Sequence, residues 1–133
     1  MAITKNSARQ EVITAFVDFT YADIPTTATV YEALDIPPNA VITGGALVIT
    51  TAWNTGTTAT LSIGDVTSAT RYATTVDLKT AARTALTLTG FVHTSTEKVL
   101  RGTTALAGTA ATAGAATLQV QYYVKGRAAF TQG

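Results

Sequence analysis

The chain has 133 residues, no Cys, a single His and a net charge of +1. Its length fits one domain. Charged residues make up only 13%, about half the usual share, which excludes a basic nucleic-acid face or a long charged tail. The absence of Cys removes disulfide frameworks, thiolate metal sites and Cys nucleophiles, and a lone His removes two-His metal sites. Thr (29) and Ala (24) are the dominant residues, whereas Ile, Leu, Val and Phe together number 31. Such a composition predicts a thin core of methyl-sized groups that gains from association with a partner chain or with itself.

Thr is β-branched and favours strands. Gly and Pro punctuate the chain at short intervals, at Pro25, Pro37-Pro38, Gly44-Gly45, Gly56, Gly64, Gly90, Gly102, Gly108, Gly114 and Gly126. This pattern predicts an all-β, antiparallel β-sandwich or barrel. No apolar stretch approaches the roughly 18 residues that a spanning helix needs, and the first nine residues carry no apolar signal-peptide run.

In chain order, residues 1–10 read as an N-terminal arm. Residues 11–21 form the first strand, with Ile13, Ala15, Val17, Phe19 and Tyr21 on the core face and Phe16 out of place among Thr14, Asp18 and Thr20 on the wet face. A second strand covers 29–36 and stops at Pro37-Pro38. Residues 41–53 form a long strand with a bulge at Gly44-Gly45. Asn54-Thr55-Gly56 then reads as a hairpin loop, so 46–53 is expected to pair antiparallel with 57–63.

Residues 66–83 are read as a long loop with a short strand or helical turn near 76–82, and 86–93 as another strand. A short strand is placed at 98–101. The Thr/Ala/Gly-rich stretch 103–117 is read as a flexible hairpin loop rather than a helix, because Gly108, Gly114 and the Thr residues oppose helix. Residues 118–125 form the last strand. The sandwich domain is expected to span 11–126, with a C-terminal tail at 127–133.

No arrangement of reactive residues stands out. His93 is read as an exposed loop or strand-end residue; Ser95 lies nearby, but no triad geometry results. The acids Glu11, Asp18, Asp23, Glu32, Asp35, Asp65, Asp77 and Glu97 show no spacing that selects a glycosidase pair, and Asp65 is read as a turn residue. No phosphate loop is present. Trp53, Tyr72, Tyr122 and Tyr123 suit core or interface packing, with a sugar platform as the alternative. Arg9, Arg71, Arg83, Arg101 and Arg127 outnumber Lys, as at protein interfaces. The expected enzyme activity, cofactor and metal are none.

A resemblance adds to this reading. Asp35-Ile-Pro-Pro-Asn-Ala-Val-Ile-Thr-Gly-Gly-Ala-Leu-Val-Ile resembles a turn and long strand of the decoration, or cement, proteins of tailed-bacteriophage heads. Thr51-Ala-Trp-Asn-Thr-Gly-Thr-Thr-Ala-Thr-Leu-Ser-Ile-Gly-Asp is similar to the hairpin that comes next in those proteins, with Trp53 in place of Phe. Ala82-Arg-Thr-Ala-Leu and the ending Leu118-Gln-Val-Gln-Tyr-Tyr-Val-Lys-Gly-Arg-Ala-Ala-Phe-Thr-Gln-Gly share the likeness.

The resemblance implies a jelly-roll-like antiparallel β-sandwich on the exterior of an icosahedral virion head. It implies a structural protein that clamps neighbouring major capsid subunits of the expanded shell. The implied partners are the major capsid protein and other copies of the chain, as homodimer or homotrimer; no nucleic acid, membrane or small-molecule substrate is implied. The expected contact residues are Ile3, Lys5, Arg9, Arg71, Tyr72, Arg83, Arg127 and Phe130. The alternatives are a tail or baseplate β-module that binds a receptor or carbohydrate, and a cellular β-sandwich binding module.

Overall fold

Alternation of apolar and polar residues at a period of two needs two layers, each burying one face. The computed structural model describes residues 11–25 and 30–125 and shows that arrangement, with eight strands and no helix among the described residues. They are β1 (Ile13–Thr20), β2 (Val30–Asp35), β3 (Ala40–Thr51), β4 (Thr58–Gly64), β5 (Ala73–Asp77), β6 (Arg83–Ala85), β7 (Val99–Ala107) and β8 (Ala115–Val124).

One sheet has the order β1-β8-β3-β6 and the other β2-β7-β4-β5, with every pairing antiparallel. The pairs β1·β8, β2·β7, β3·β6 and β4·β5 nest one inside the next, as in a long hairpin wrapped around a barrel. The fold is therefore a jelly-roll sandwich.

The core lies between the sheets. Leu47, Ile49, Leu118 and Val120 come from the first sheet and Leu61, Ile63, Val76 and Leu100 from the second. Ile13, Ala15, Val17 and Phe19 pack against this cluster from β1, as their alternation predicts. Each fully buried Leu or Ile stabilises the fold by roughly 1.5–3 kcal/mol. Eleven Leu and Ile side chains are buried among the described residues. Trp53 and Tyr72 are the bulkiest of those fully enclosed.

The expected hairpin between 46–53 and 57–63 does not form. β3 pairs with β6 and β8, and β4 with β5 and β7. The segment between them leaves one sheet for the other, and the β7–β8 loop holds it in place. Asn54 Oδ1 accepts from the backbone N–H of Thr112 (2.7 Å) and Ala113 (3.1 Å), and its amide donates to the Thr112 hydroxyl (2.8 Å). Gly56 N–H donates to Thr109 O and Thr57 N–H to Ala107 O. A Gly-bearing turn between two strands looks the same in sequence whether the chain doubles back or crosses over; here it crosses.

Other expectations need correction. Residues 86–93 are not a strand; only Val92 bridges to Val41, because Leu86 N–H bonds Gly45 O in the first sheet and Thr87 N–H bonds Tyr72 O beside the second. The expected loop at 66–83 contains β5 and the start of β6. The expected loop at 103–117 shrinks to 108–114, since β7 runs to Ala107 and β8 begins at Ala115. The short strand at 98–101 is thus the start of a long one. The bulge near Gly44-Gly45 is present as a register shift between Ile42 and Gly44. The arm at 1–10 and the tail at 127–133 lie outside the described residues.

The crossing is tight at Gly114. A Cβ there would stand 2.5 Å from Cδ2 and 2.7 Å from Cε2 of Trp53. Gly114→Ala is expected to push the indole out of its seat and to cost about 1–3 kcal/mol. A thermal midpoint equal to that of the unsubstituted chain would contradict this.

Candidate functional site

The jelly roll presents two kinds of local chemistry: a buried polar cluster beside β5 and a cleft between the edge strands β1 and β2. The cluster begins with His93, which is 0% exposed rather than on a loop surface as expected. Its Nδ1 lies 2.7 Å from the Glu97 carbonyl oxygen and its Nε2 2.7 Å from the Tyr72 hydroxyl. A carbonyl can only accept, so Nδ1–H donates to it, and Nε2 accepts from the tyrosine. Backbone bonds hold the residue as well: His93 N–H to Ala40 O, and Asn39 N–H to His93 O.

Tyr72, 1% exposed, is accordingly an internal strut, which takes it off any contact surface. Burial pushes its phenol up to about 12; the Arg71 charge opposes the rise and the Asp65 charge adds to it. Phe91 packs edge-on against His93 at 5.2 Å between centroids. The Arg71 guanidinium covers the Phe91 ring at 3.5 Å, a cation–π contact.

Asp65 is the turn residue its Gly64-Asp65 setting predicts. Its Oδ1 accepts from the N–H groups of Thr67 (3.0 Å) and Ser68 (2.9 Å) and from the Thr67 hydroxyl (2.9 Å). Its Oδ2 accepts from Arg71 Nε at 2.6 Å. Burial works to raise this carboxyl, but the bonds from Arg71, Ser68 and Thr67 outweigh it and hold the group below the ordinary 3.8. At Glu97, hydrogen bonds from the hydroxyl and N–H of Thr94 lower the carboxyl. The polar groups of this cluster face one another, so the arrangement fastens loops and directs no nucleophile at solvent.

The cleft has a volume of about 300 Å³ and is lined by Phe19, Ile24, Tyr31, Leu61 and Ile63, with Asp23 and Glu32 also in its walls. Among the described residues no three His, Asp or Glu side chains gather where they could hold a metal ion. Trp53 and Tyr122 are buried and Tyr123 is half-buried, so the four aromatic residues do not assemble into an exposed platform.

Of the expected contact residues, Arg83 is exposed on β6, and Arg71 is half-buried over Phe91. Ile3, Lys5, Arg9, Arg127 and Phe130 lie outside the described residues. Sequence reading missed the His93–Tyr72 bond. The signal available was weak: the two residues are 21 positions apart, and no periodicity links them.

A chain of the cyanophage Pam1 capsid asymmetric unit is similar in structure, with a TM-score of 0.70 and 22% sequence identity over 93% of this chain and 92% of that one. No protein-family model and no curated protein matches the sequence. At that identity the likeness establishes the shared jelly-roll sandwich.

The cluster generates two testable outcomes. Tyr72→Phe is expected to cost about 1–3 kcal/mol, since it leaves the buried Nε2 of His93 without a donor. A phenol raised in the folded state stabilises fully below its ordinary value of 10.0, and that contribution is lost as pH rises toward about 12. Thermal unfolding measured across that window should therefore show a shallower alkaline decline for the Phe variant. Asp65→Asn tests the opposite limb. A carboxyl lowered in the folded state stabilises above its ordinary value of 3.8 and loses that contribution as pH falls through the folded value. The Asn variant should be less stable at neutral pH, with the gap closing in acid; a gap that persists unchanged into strong acid would refute the assignment.

Proposed function

We propose that this chain is a structural protein of a tailed-phage virion, bound to the exterior of the expanded head, where it cements neighbouring major capsid subunits. The observation that carries this reading is the jelly-roll sandwich itself, matched over nearly its whole length by a chain of a phage capsid asymmetric unit. The resemblance of the 35–49, 51–65, 82–86 and 118–133 segments to head decoration proteins supports the same reading from the sequence side. The polar residues that in other proteins would do chemistry are here spent on fastening loops. The chain is accordingly read as a non-enzyme.

The mechanism is mass action. Packaged DNA pushes a shell outward. A clip that binds only the expanded lattice stabilises that lattice by its binding free energy. Many copies act together, so each contact can be weak. A small, methyl-rich core suits such a clip, because stability lacking in the isolated chain is recovered from the neighbours it touches.

The test is to purify particles from an infected host and to image them. A ratio near one chain per major capsid subunit, with density on the outer shell surface, is the expected result. A handful of copies confined to the tail would instead identify a tail or baseplate module, and absence from particles would remove the virion reading altogether.

A further inference from the structure

Among the described residues the two sheets end in four edge strands, β1 and β6 in one and β2 and β5 in the other. An edge exposes unpaired N–H and C=O groups that can recruit another strand, and proteins commonly blunt it with shortness, bulges, Pro or Lys. Three of these edges are blunted. β6 has only three residues. The pairing of β2 shifts register between Glu32 and Leu34. The pairing of β4 with β5 shifts between Leu61 and Ile63, and Thr75 within β5 has a φ of 45°, a left-handed conformation rare for a β-branched residue. β1 carries none of these devices. Its eight residues, Ile13–Thr20, pair with β8 in unbroken register and include no Pro, Gly or Lys.

The cleft between β1 and β2 adjoins that open edge. Phe19, Ile24 and Leu61 give it an apolar floor, and its lining includes three carboxylates, Asp18, Asp23 and Glu32, with no Lys or Arg among the described residues. The whole chain has eight acids, so three around one cleft is a concentration of charge. Asp23 accepts hydrogen bonds from the N–H and hydroxyl of Thr20, and Asp18 accepts one from the Thr117 hydroxyl; neither bond brings a positive charge. Glu32 stands opposite Arg101 in the β2·β7 register, yet among the described residues Arg71–Asp65 is the one ion pair. The negative charge of the cleft is thus left for a ligand to answer.

We propose that β1 receives an extended segment of another protein, which adds a strand at its free edge and presents apolar and basic side chains in alternation to the cleft. Residues two apart in a strand share a face. One apolar side chain can therefore enter the cleft while a Lys or Arg two positions along meets the acids at its rim. Main-chain bonds to β1 supply affinity, and the cleft selects the side chains. A second copy of this chain does not suit the site, because β1 against β1 brings two acidic rims together, and like charges across an interface cost binding. The inference rests on β1 and its cleft and is independent of the capsid reading.

Titration of the full chain with a blocked octapeptide tests it, the peptide carrying Ile and Lys in alternation on one face and Thr on the other. Amide chemical shifts and hydrogen exchange are the readouts. The expected result is saturable binding at about 1 mM or below, with exchange slowed at the β1 amides that face away from β8. The same peptide with Glu in place of Lys should bind about tenfold more weakly or worse, and Asp23→Asn/Glu32→Gln should weaken the Lys peptide by a similar factor. Glu32→Gln alone, at an exposed position outside the turn that Asp23 holds, should weaken it by about threefold. Absence of saturable binding, equal affinity for the two peptides, slowed exchange confined to strands other than β1, or affinity unchanged in both variants would each overturn the proposal. A full chain that binds no peptide until Lys5→Glu/Arg9→Glu is introduced would overturn it as well, and would assign the edge to residues 1–10 of the same chain.

Discussion

The fold depends on a large side chain at the point where the polypeptide changes sheets. After β3 the chain must leave a sheet that already has partners for it on both sides, β8 and β6, and enter the opposite one. Trp53 sits at that step, 2% exposed, against Phe19 at 6.0 Å between ring centroids and under the backbone of Gly114. Its backbone N–H donates to Leu78 O, which ties the step to the segment after β5. An indole buries more apolar area than any other side chain. In a chain whose commonest residues are Thr and Ala, one such group can decide which layers meet.

The second consequence of a thin core is reliance on polar fastenings. The segment after β6 has no sheet to belong to for most of its length, and His93 anchors it through Glu97 O on one side and the Tyr72 hydroxyl on the other. The β4–β5 connection is held similarly by Asp65, which gathers Thr67, Ser68 and Arg71 around one carboxylate. Such groups cost free energy when buried and repay it only when every partner is in place. Both clusters meet that condition, and they meet each other through Arg71 over Phe91 and Phe91 against His93. Loops that would otherwise be loose on a small sandwich are thereby made part of its body.

How much of the molecule is legible in the sequence depends on how local each signal is. The alternation of Ile13, Ala15, Val17 and Phe19 against Thr14, Phe16, Asp18 and Thr20 is a property of one strand, and it identified the buried face of β1. Turn chemistry is equally local, and Asp65 behaves as Gly64-Asp65 suggests. Pairing is not local. Asn54-Thr55-Gly56 has the composition of a hairpin loop, yet the choice between doubling back and crossing over lies with the distant 107–113 region, whose backbone Asn54, Gly56 and Thr57 engage. Alternation at Leu86, Leu88 and Gly90 likewise suggested a strand where the backbone bonds Gly45 of the first sheet at Leu86 and Tyr72 beside the second at Thr87. For the same reason the single His was misplaced: its hydrogen-bond partner is fixed by the meeting of two loops, and nothing in the residues adjoining His93 records that.

The two sheets are not equivalent outside the core, and this bears on what the molecule presents to others. The cleft at the β1–β2 edge is lined by apolar side chains together with Asp23 and Glu32. The outer face of the sheet containing β1 carries Phe16 and Asp18 on one edge strand and Arg83 on the other. The clip proposed above would need at least two distinct surfaces, one for the shell and one for a neighbour, because a single surface can occupy sites without linking them. A jelly roll provides these at little structural cost. Its core requires only one face of each strand, so half the positions in every strand are left to be shaped by contacts. In β1 that division is visible within a few residues, where Phe19 supports Trp53 inside while Phe16 projects from the opposite side of the same strand.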